Sequence, residues 1–415
     1  IESLTTLKDA SATAVYGVRG ANGVIIIKTK PGKIGKPTIS ADYYESFTRF
    51  TKMVDLTDGV SYMKAANEAL RNDGLATKFT DSQIQNTILG KDQYLYPNVD
   101  WLNEIFNDWG HNRRVNVNVR GGSEKVSYYA SVSYFNETGM TVTDKSVNTF
   151  DSKMKYSRYN FTTNLSIDVT PTTKVEIGAQ GYLGEGNYPA ISSKDLYNAA
   201  MSISPVEYPK MFFINGEAYI PGRSTNNNFN NPYSQATRRG YDNLTKNQIY
   251  SNLRITQDLD MLTKGLKLTA MYAFDVYNEI HVHQDRAEST YYFLDTNVPY
   301  DLDGQPILQR IYTGTNVLSY KQETSGNKKT YLEASLNYDR AFGDHRVSGL
   351  FLFNQQQKLL YPKGTLEDAI PYRMMGIAGR ATYSWKDRYF AEFNIGYNGA
   401  ENFSPKNHYG TFPAY

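Results

Sequence analysis

GLKLTAMYAFDVYNEIHV, residues 265–282, alternates between two kinds of side chain over most of its length. Leu266, Leu268, Ala270, Tyr272, Phe274, Val276, Ile280 and Val282 fall on one face of an extended chain, and Lys267, Thr269, Asp275, Glu279 and His281 fall on the other. A period of two is the signature of a strand with one apolar and one wet face. Strands in soluble domains usually run 3–10 residues, so a stretch this long needs another explanation.

The same alternation recurs along the chain. Residues 124–135 set Val126, Tyr128, Ala130, Val132 and Tyr134 against Ser127, Ser131 and Ser133. Residues 115–119, 159–169, 175–183, 253–259, 332–338, 377–385 and 389–397 repeat the pattern, with weaker cases at 39–43 and 347–353. Their connections take turns in length. Short links at 121–123, around Pro171, and at 261–264, 343–345 and 386–387 alternate with long Asn-, Gly- and Pro-rich links near 48–110, 137–150, 185–244, 284–320 and 362–372. An all-β, antiparallel up-and-down barrel in an outer membrane has this asymmetry, with short periplasmic turns and long extracellular loops. The pattern accounts for about eleven strands, against roughly 22 in a plugged transporter barrel, so further strands are expected beyond Tyr415 to satisfy the edge amides. Within the first long link, Leu56, Val60, Met63 and Leu70 predict an amphipathic helix with Thr57 as its N-cap.

Composition agrees. The 415 residues include 35 Tyr and 19 Phe, yet the mean hydropathy is only −0.55. No stretch reaches the roughly 18 consecutive apolar residues of a membrane-spanning helix. Basic and acidic residues number 44 and 42 without long runs of one sign, which gives no footprint for nucleic acid. With no cysteine, disulfides and thiol chemistry are absent. The five His are scattered and no nucleophile, base and orienting group cluster, so the sequence does not describe an enzyme.

Residues 1–30 stand apart. A helix-like start over residues 1–13 leads into Tyr16, Gly17, Arg19, Gly20, Asn22 and Gly23, then into the continuous apolar run Val24 to Ile27, as expected of a small strand buried on both faces. The glycines read as tight turns, because the phosphate-binding Lys and Ser/Thr are lacking and a strand follows. Pro31, Gly32, Gly35 and Pro37 then break the chain.

IESLTTLKDASATAVYGVRGANGVIIIKTK, residues 1–30, resembles the plug signature of the SusC-type branch of TonB-dependent transporters (the SusC/RagA family), found in Bacteroidetes. GGSEKVSYYASVSYFNETG at 121–139, the strand pair at 379–397 around Lys386, Asp387 and Arg388, and ENFSPKNHYGTFPAY at 401–415 resemble the same family. The resemblance implies a plug segment at 1–34, carrying Lys8, Asp9, Tyr16, Gly17, Arg19, Gly20, Asn22 and Gly23, and the first half of the barrel at 35–415. It also implies a place in the bacterial outer membrane and import of a large oligosaccharide or oligopeptide. The implied partners are a SusD-like surface lipoprotein and the TonB complex, with the TonB box, early plug and later strands lying outside residues 1–415. A passive porin or adhesin barrel, or a soluble carbohydrate-binding β-protein, is the alternative.

Three sets of residues are candidates for function. Lys8 and Arg19 of the plug could pair with Glu333 and Glu392 on the polar faces of two strands. Tyr188, Phe229, Tyr233 and Tyr291 in the long links could stack on substrate, whereas Tyr128, Tyr272, Trp385 and Tyr389 fit an interfacial girdle. Glu279, His281, His283 and Asp285 share a strand face with metal-ligand residue types, but alternation alone already requires wet residues there, so no metal or other cofactor is assigned.

Overall fold

The computed structural model describes residues 2–8, 20, 22–145, 148–225, 231–362 and 364–414. Its frame is one antiparallel sheet of 12 strands in the order β18-β17-β16-β15-β14-β11-β10-β7-β6-β5-β4-β3. These strands are β3 (Gly35–Thr48), β4 (Gly110–Gly122), β5 (Val126–Thr138), β6 (Lys155–Thr170), β7 (Thr173–Pro189), β10 (Gly240–Asp258), β11 (Leu266–Asp285), β14 (Lys321–Phe342), β15 (His345–Tyr361), β16 (Tyr372–Trp385), β17 (Tyr389–Ala400) and β18 (Tyr409–Ala414). Each pairs with its neighbour in chain order, the β7–β10 and β11–β14 connections holding strands of their own. This is an up-and-down meander, the topology of a transmembrane barrel wall.

The register explains the alternation. Val126, Ile167, Val175, Ile255, Ala270, Ala334, Phe353, Ile377 and Tyr397 are successive cross-strand partners, so they form one row across nine strands. One residue along, Ser127, Ser166, Glu176, Arg254, Met271, Glu333, Asn354, Gly376 and Asn398 form a row on the opposite face. Val126, Leu268, Leu332 and Phe393 share the first face, and Ser127, Lys267, Glu333 and Glu392 the second, as the period of two requires. Leu332 is 44% exposed, Phe393 50% and Val132 64%. Apolar side chains left open in continuous rows across a sheet are costly in water and suit a hydrocarbon surround. No helix among the described residues is long and apolar enough to cross a membrane.

Short turns at 123–125, 171–172, 259–265, 343–344 and 386–388 lie at one end of the sheet, and long loops at the other: L1 (49–109), L2 (139–154), L3 (190–239), L4 (286–320), L5 (362–371) and L6 (401–408). Lys386 and Asp387 both take positive φ, 53° and 52°, which lets β17 fold straight back on β16. The strands extend beyond the apolar stretches that reveal them in the sequence; β14 spans 22 residues. Their outer ends are polar, so alternation fades there while pairing continues.

Three local expectations change. Residues 3–7 form strand β1 (Ser3–Leu7) instead of the start of a helix, pairing antiparallel with β2 (Val24–Lys28), so that partnership across sequence overrides local helix propensity. That two-stranded sheet leaves Ile25 65% and Ile27 57% exposed, so among the described residues β2 is not covered on both faces. The helix of L1, α1 (Gly59–Asn72), is capped by Asp58 rather than Thr57: Asp58 Oδ1 accepts from Val60 N at 2.8 Å and Ser61 N at 3.1 Å. A carboxylate directly before the first turn reaches both orphan amides.

Replacing Leu336 by Arg, in the apolar row that joins Leu268 to Phe351, should destabilise the bilayer-inserted barrel by about 2–4 kcal/mol. Lys267→Arg on the other face should leave the urea unfolding midpoint unchanged. Equal midpoints for the two variants would contradict the assignment of faces.

Candidate functional site: the polar face and its loop cap

The hydrophobic interior of this protein lies in its loops. Trp101, Leu102 and Ile105 of α3 (Trp101–Ile105) in L1 pack with residues of L3: Ile191, then Leu196 and Ala200 of α4 (Ser193–Ser202), Tyr208, Met211, Ile220 of β9 (Glu217–Pro221), and Tyr233 and Ala236 of α5 (Pro232–Thr237). L1 also holds α2 (Asp81–Leu89), whose ends are closed by a Thr80–Gln83 capping box and by Gly90 in the left-handed conformation. Trp101 is fully buried, and its indole N–H donates to Ser204 O at 3.2 Å, so its one polar group has a partner.

Polar contacts stitch the remaining loops in. Val142 N of L2 donates to Ile105 O at 3.0 Å. In L3, β8 (Phe212–Ile214) and β9 form a hairpin through Asn215-Gly216, whose positive φ values of 51° and 83° suit the tight turn. L4 adds β12 (Thr290–Phe293), which pairs with β9 and with β13 (Leu308–Tyr312). Tyr300 of L4 donates to Asp92 Oδ2 of L1 at 2.5 Å. Between L3 and L4, Glu288 takes Arg238 Nε at 2.6 Å and also binds Arg286. All three side chains are largely withdrawn from water, at 6%, 13% and 11% exposure. One buried carboxylate shared by two guanidiniums offsets part of the cost of withdrawing these charges from water.

Several expected site residues fall on this frame. The hydroxyl of Tyr233 donates to Asp144 Oδ2 at 2.7 Å and its ring is 8% exposed within the cap core. Burial and that carboxylate hold the Tyr233 hydroxyl well above its usual range. Its aromatic surface is therefore used in packing and is closed to a stacking ligand, contrary to the expectation from composition. Tyr291 sits edge-on to Tyr219 at 5.0 Å, with Arg310 5.8 Å above its ring. Tyr188 lies at the top of β7, on the polar face, beside Asp242 in register. Phe229 lies outside the described residues, as do Asp9, Tyr16, Gly17 and Arg19.

Of the plug signature, Lys8 and Asn22 are exposed, and Gly23 N donates back to Gly20 O at 2.9 Å. Gly23 has φ 86°, and a Cβ there would stand 3.0 Å from Leu7 O, so the turn into β2 needs glycine. On the polar face Glu392 accepts from Arg380 at 2.8 Å and from Asn394 at 2.7 Å, while Glu333 accepts from the Tyr331 hydroxyl at 2.6 Å. The segment after β2 touches the same face: Asn164 of β6 donates to Thr29 Oγ1 at 3.0 Å and Lys30 O at 2.8 Å, and Gly32 lies against the backbone of Ser127 and Tyr128.

A meander with one open apolar face, one hydrated face and a folded cap at the long-loop end defines an outer-membrane β-barrel wall. No family model matches the chain. It is 26% identical over 442 residues to the TonB-dependent receptor SusC of Bacteroides thetaiotaomicron, covering 100% of this chain and 40% of that protein. It is 24% identical over 449 residues to TonB-dependent receptor P3 of Formosa agariphila, covering 100% of this chain and 39% of that protein. A solved structure of the RagAB peptide importer in a closed-closed state superposes with a TM-score of 0.67 at 18% identity, over 99% of this chain and 47% of that one. Over its whole length the chain is thus similar to TonB-dependent receptors, SusC among them, and it is a β-barrel protein of the bacterial outer membrane. It spans about two-fifths of the length of these curated relatives.

Glu288→Ala should take the shared carboxylate away from two largely buried guanidiniums and cost about 3–5 kcal/mol. The loss should be confined to the cap, read as faster protease cutting in L3 and L4 while the barrel keeps its heat-modifiable migration in gels. Alkali should act on the same region. The Tyr233 and Tyr300 hydroxyls are both held above the usual tyrosine range, by burial first and then by their carboxylate partners. A raised folded value gives stability that is complete below about pH 10 and is lost as pH rises further. Protease sensitivity of the cap should thus climb above about pH 10, and less steeply in Tyr233→Phe.

Proposed function

We propose that the complete protein actively imports a large nutrient, an oligosaccharide or oligopeptide, through a plugged barrel whose wall and cap these residues begin. The observation that carries this reading is the contact of residues 29–32 with the polar face, through Asn164 and through Gly32 on Ser127. A porin or adhesin barrel has no use for a separate two-stranded unit tethered to its lumen side. Residues 1–34 are then the end of the plug, with 35–415 the first part of the barrel. The named relatives support TonB as the energy source, and the multi-loop cap offers a built surface for a SusD-like lipoprotein lid. The edge amides of β3 and β18 would be satisfied by further strands closing the wall.

Lys8, and Arg19 outside the described residues, are the proposed counterparts of carboxylates on the polar face. Glu392 already has a cationic partner in Arg380, whereas the hydrogen-bond partner of Glu333 is a neutral hydroxyl, so Glu333 is the better counterpart for Arg19. Tyr188 and Tyr291 are the aromatic groups proposed to meet substrate. The peptide cargo named for RagAB makes oligopeptides one arm of the test, and oligosaccharides, which the family resemblance implies, are the other.

Cells carrying the receptor should take up a labelled oligopeptide or oligosaccharide too large for porins, and dissipating the inner-membrane proton gradient should abolish that uptake. Deleting residues 1–34 should make entry independent of the gradient and raise single-channel conductance. Gradient-independent uptake by the intact receptor would favour the porin reading.

A further inference from the structure

Near the cap, the polar face carries a compact group that β10 and β11 bring together. Asp242 and His283 are direct cross-strand partners, as are Leu244 and His281 two register positions further down, on the same face. His283 Nδ1 lies 3.0 Å from Asp242 Oδ1, and His281 Nε2 lies 3.5 Å from Asp242 Oδ2. The two imidazole rings converge to 3.8 Å between centroids, and all three ligand-type atoms lie within 4.8 Å of one another. A tetrahedral zinc-like ion with bonds near 2.0–2.1 Å places its ligand atoms about 3.3 Å apart. The two measured separations run to different oxygens of Asp242 and record its contacts with the two rings, so an ion seats when the closely packed rings turn apart and exchange those contacts for bonds to the metal.

The neighbouring carboxylates show why these three residues stand out. Glu279, on the same face of β11, has Lys246 at 3.4 Å and the Tyr277 hydroxyl. Asp285 has Arg239 at 3.9 Å and the Ser319 hydroxyl. Glu323, the cross-strand partner of His281, has Lys321 at 2.6 Å. Each of them sits against a permanent cation, whereas Asp242 is held by two imidazoles. Two nitrogen donors and one carboxylate form a ligand set for a borderline divalent ion, and three protein ligands leave one position open.

We propose that Asp242, His281 and His283 bind a divalent transition-metal ion of the zinc class. The open position faces the lumen beside Tyr188, which shares the row of Asp242 and His283. On the barrel reading, that position lies where cargo leaves the cap, and a donor oxygen or nitrogen on the cargo can complete the coordination. The binding itself rests on the three side chains and not on the transport reading.

The test uses the complete receptor purified in detergent without a polyhistidine tag, stripped with chelator and titrated calorimetrically with Zn2+. Binding at one site per chain is expected. His281→Ala, His283→Ala and Asp242→Asn should each weaken it by at least about 100-fold. His345→Ala should leave it unchanged, because that ring is bonded to Tyr383 at the short-turn end. Co2+ should give the strong visible absorption of a low-coordinate ion, lost in the same three variants. Heat-modifiable gel migration reports that each variant is folded. Absent binding, or binding that survives these substitutions in folded protein, would overturn the site and leave the transport reading untouched.

Discussion

Pairing of backbone N–H and C=O groups between neighbouring strands is the constraint on which the rest of this structure depends. Hydrocarbon offers no alternative partner for an amide, so a wall that crosses a membrane must satisfy every group within its own ladder. The β10–β11 pair meets that demand from Gly240–Asp285 to Asp258–Lys267 without a break in register. The one irregularity between β3 and β4 falls between Gly35 and Thr38, where Pro37 brings no N–H to the ladder. Once the ladder is fixed, the pleat assigns every side chain to one of two faces, and sequence choice is reduced to what each face meets.

The consequence is an inversion of the usual globular arrangement. The strands keep Leu, Ile, Phe and Tyr on an open face, and the residues withdrawn from contact gather in L1 and L3, around Trp101, Leu196 and Phe212. Phe212 is enclosed by Tyr94, Tyr292 and Phe293 at ring separations of 5.3–6.4 Å, which brings three loops to one side chain. Long loops normally carry conformational freedom; here they form a small domain with its own helices, hairpin and buried ion triad. A surface preorganised in this way can recognise a partner or cargo without first ordering itself.

Polar rows lead from this cap down the opposite face of the wall. Tyr188, Asp242, His283 and Lys321 form the upper row, and Glu176, Arg254, Met271, Glu333 and Asn354 a lower one. Charges on these rows are mostly paired within the sheet, as with Glu176 and Arg254 at 3.9 Å or Glu392 and Arg380 at 2.8 Å. Residues 29–32 meet this face through hydrogen bonds and close backbone approach rather than through apolar burial. Contacts of that kind exchange readily with water, which suits the plug role proposed for this segment.

The sequence by itself determined the strands, their faces and the alternation of turns and loops, because a period of two is written in adjacent residues and needs no knowledge of the partner. It placed Lys267 opposite Leu268 and Glu392 opposite Phe393 for that reason, and the motif in residues 1–30 marked the family. Tertiary structure alone decided whatever depends on residues distant in the chain. Residues 3–7 became a strand because Val24–Lys28 pairs with them. Tyr233 entered a core whose other members lie as far off as Trp101, which no local pattern reveals. The two histidines on β11 were legible as a pair, but their carboxylate is Asp242, 41 residues from His283 and brought beside it by the hairpin register.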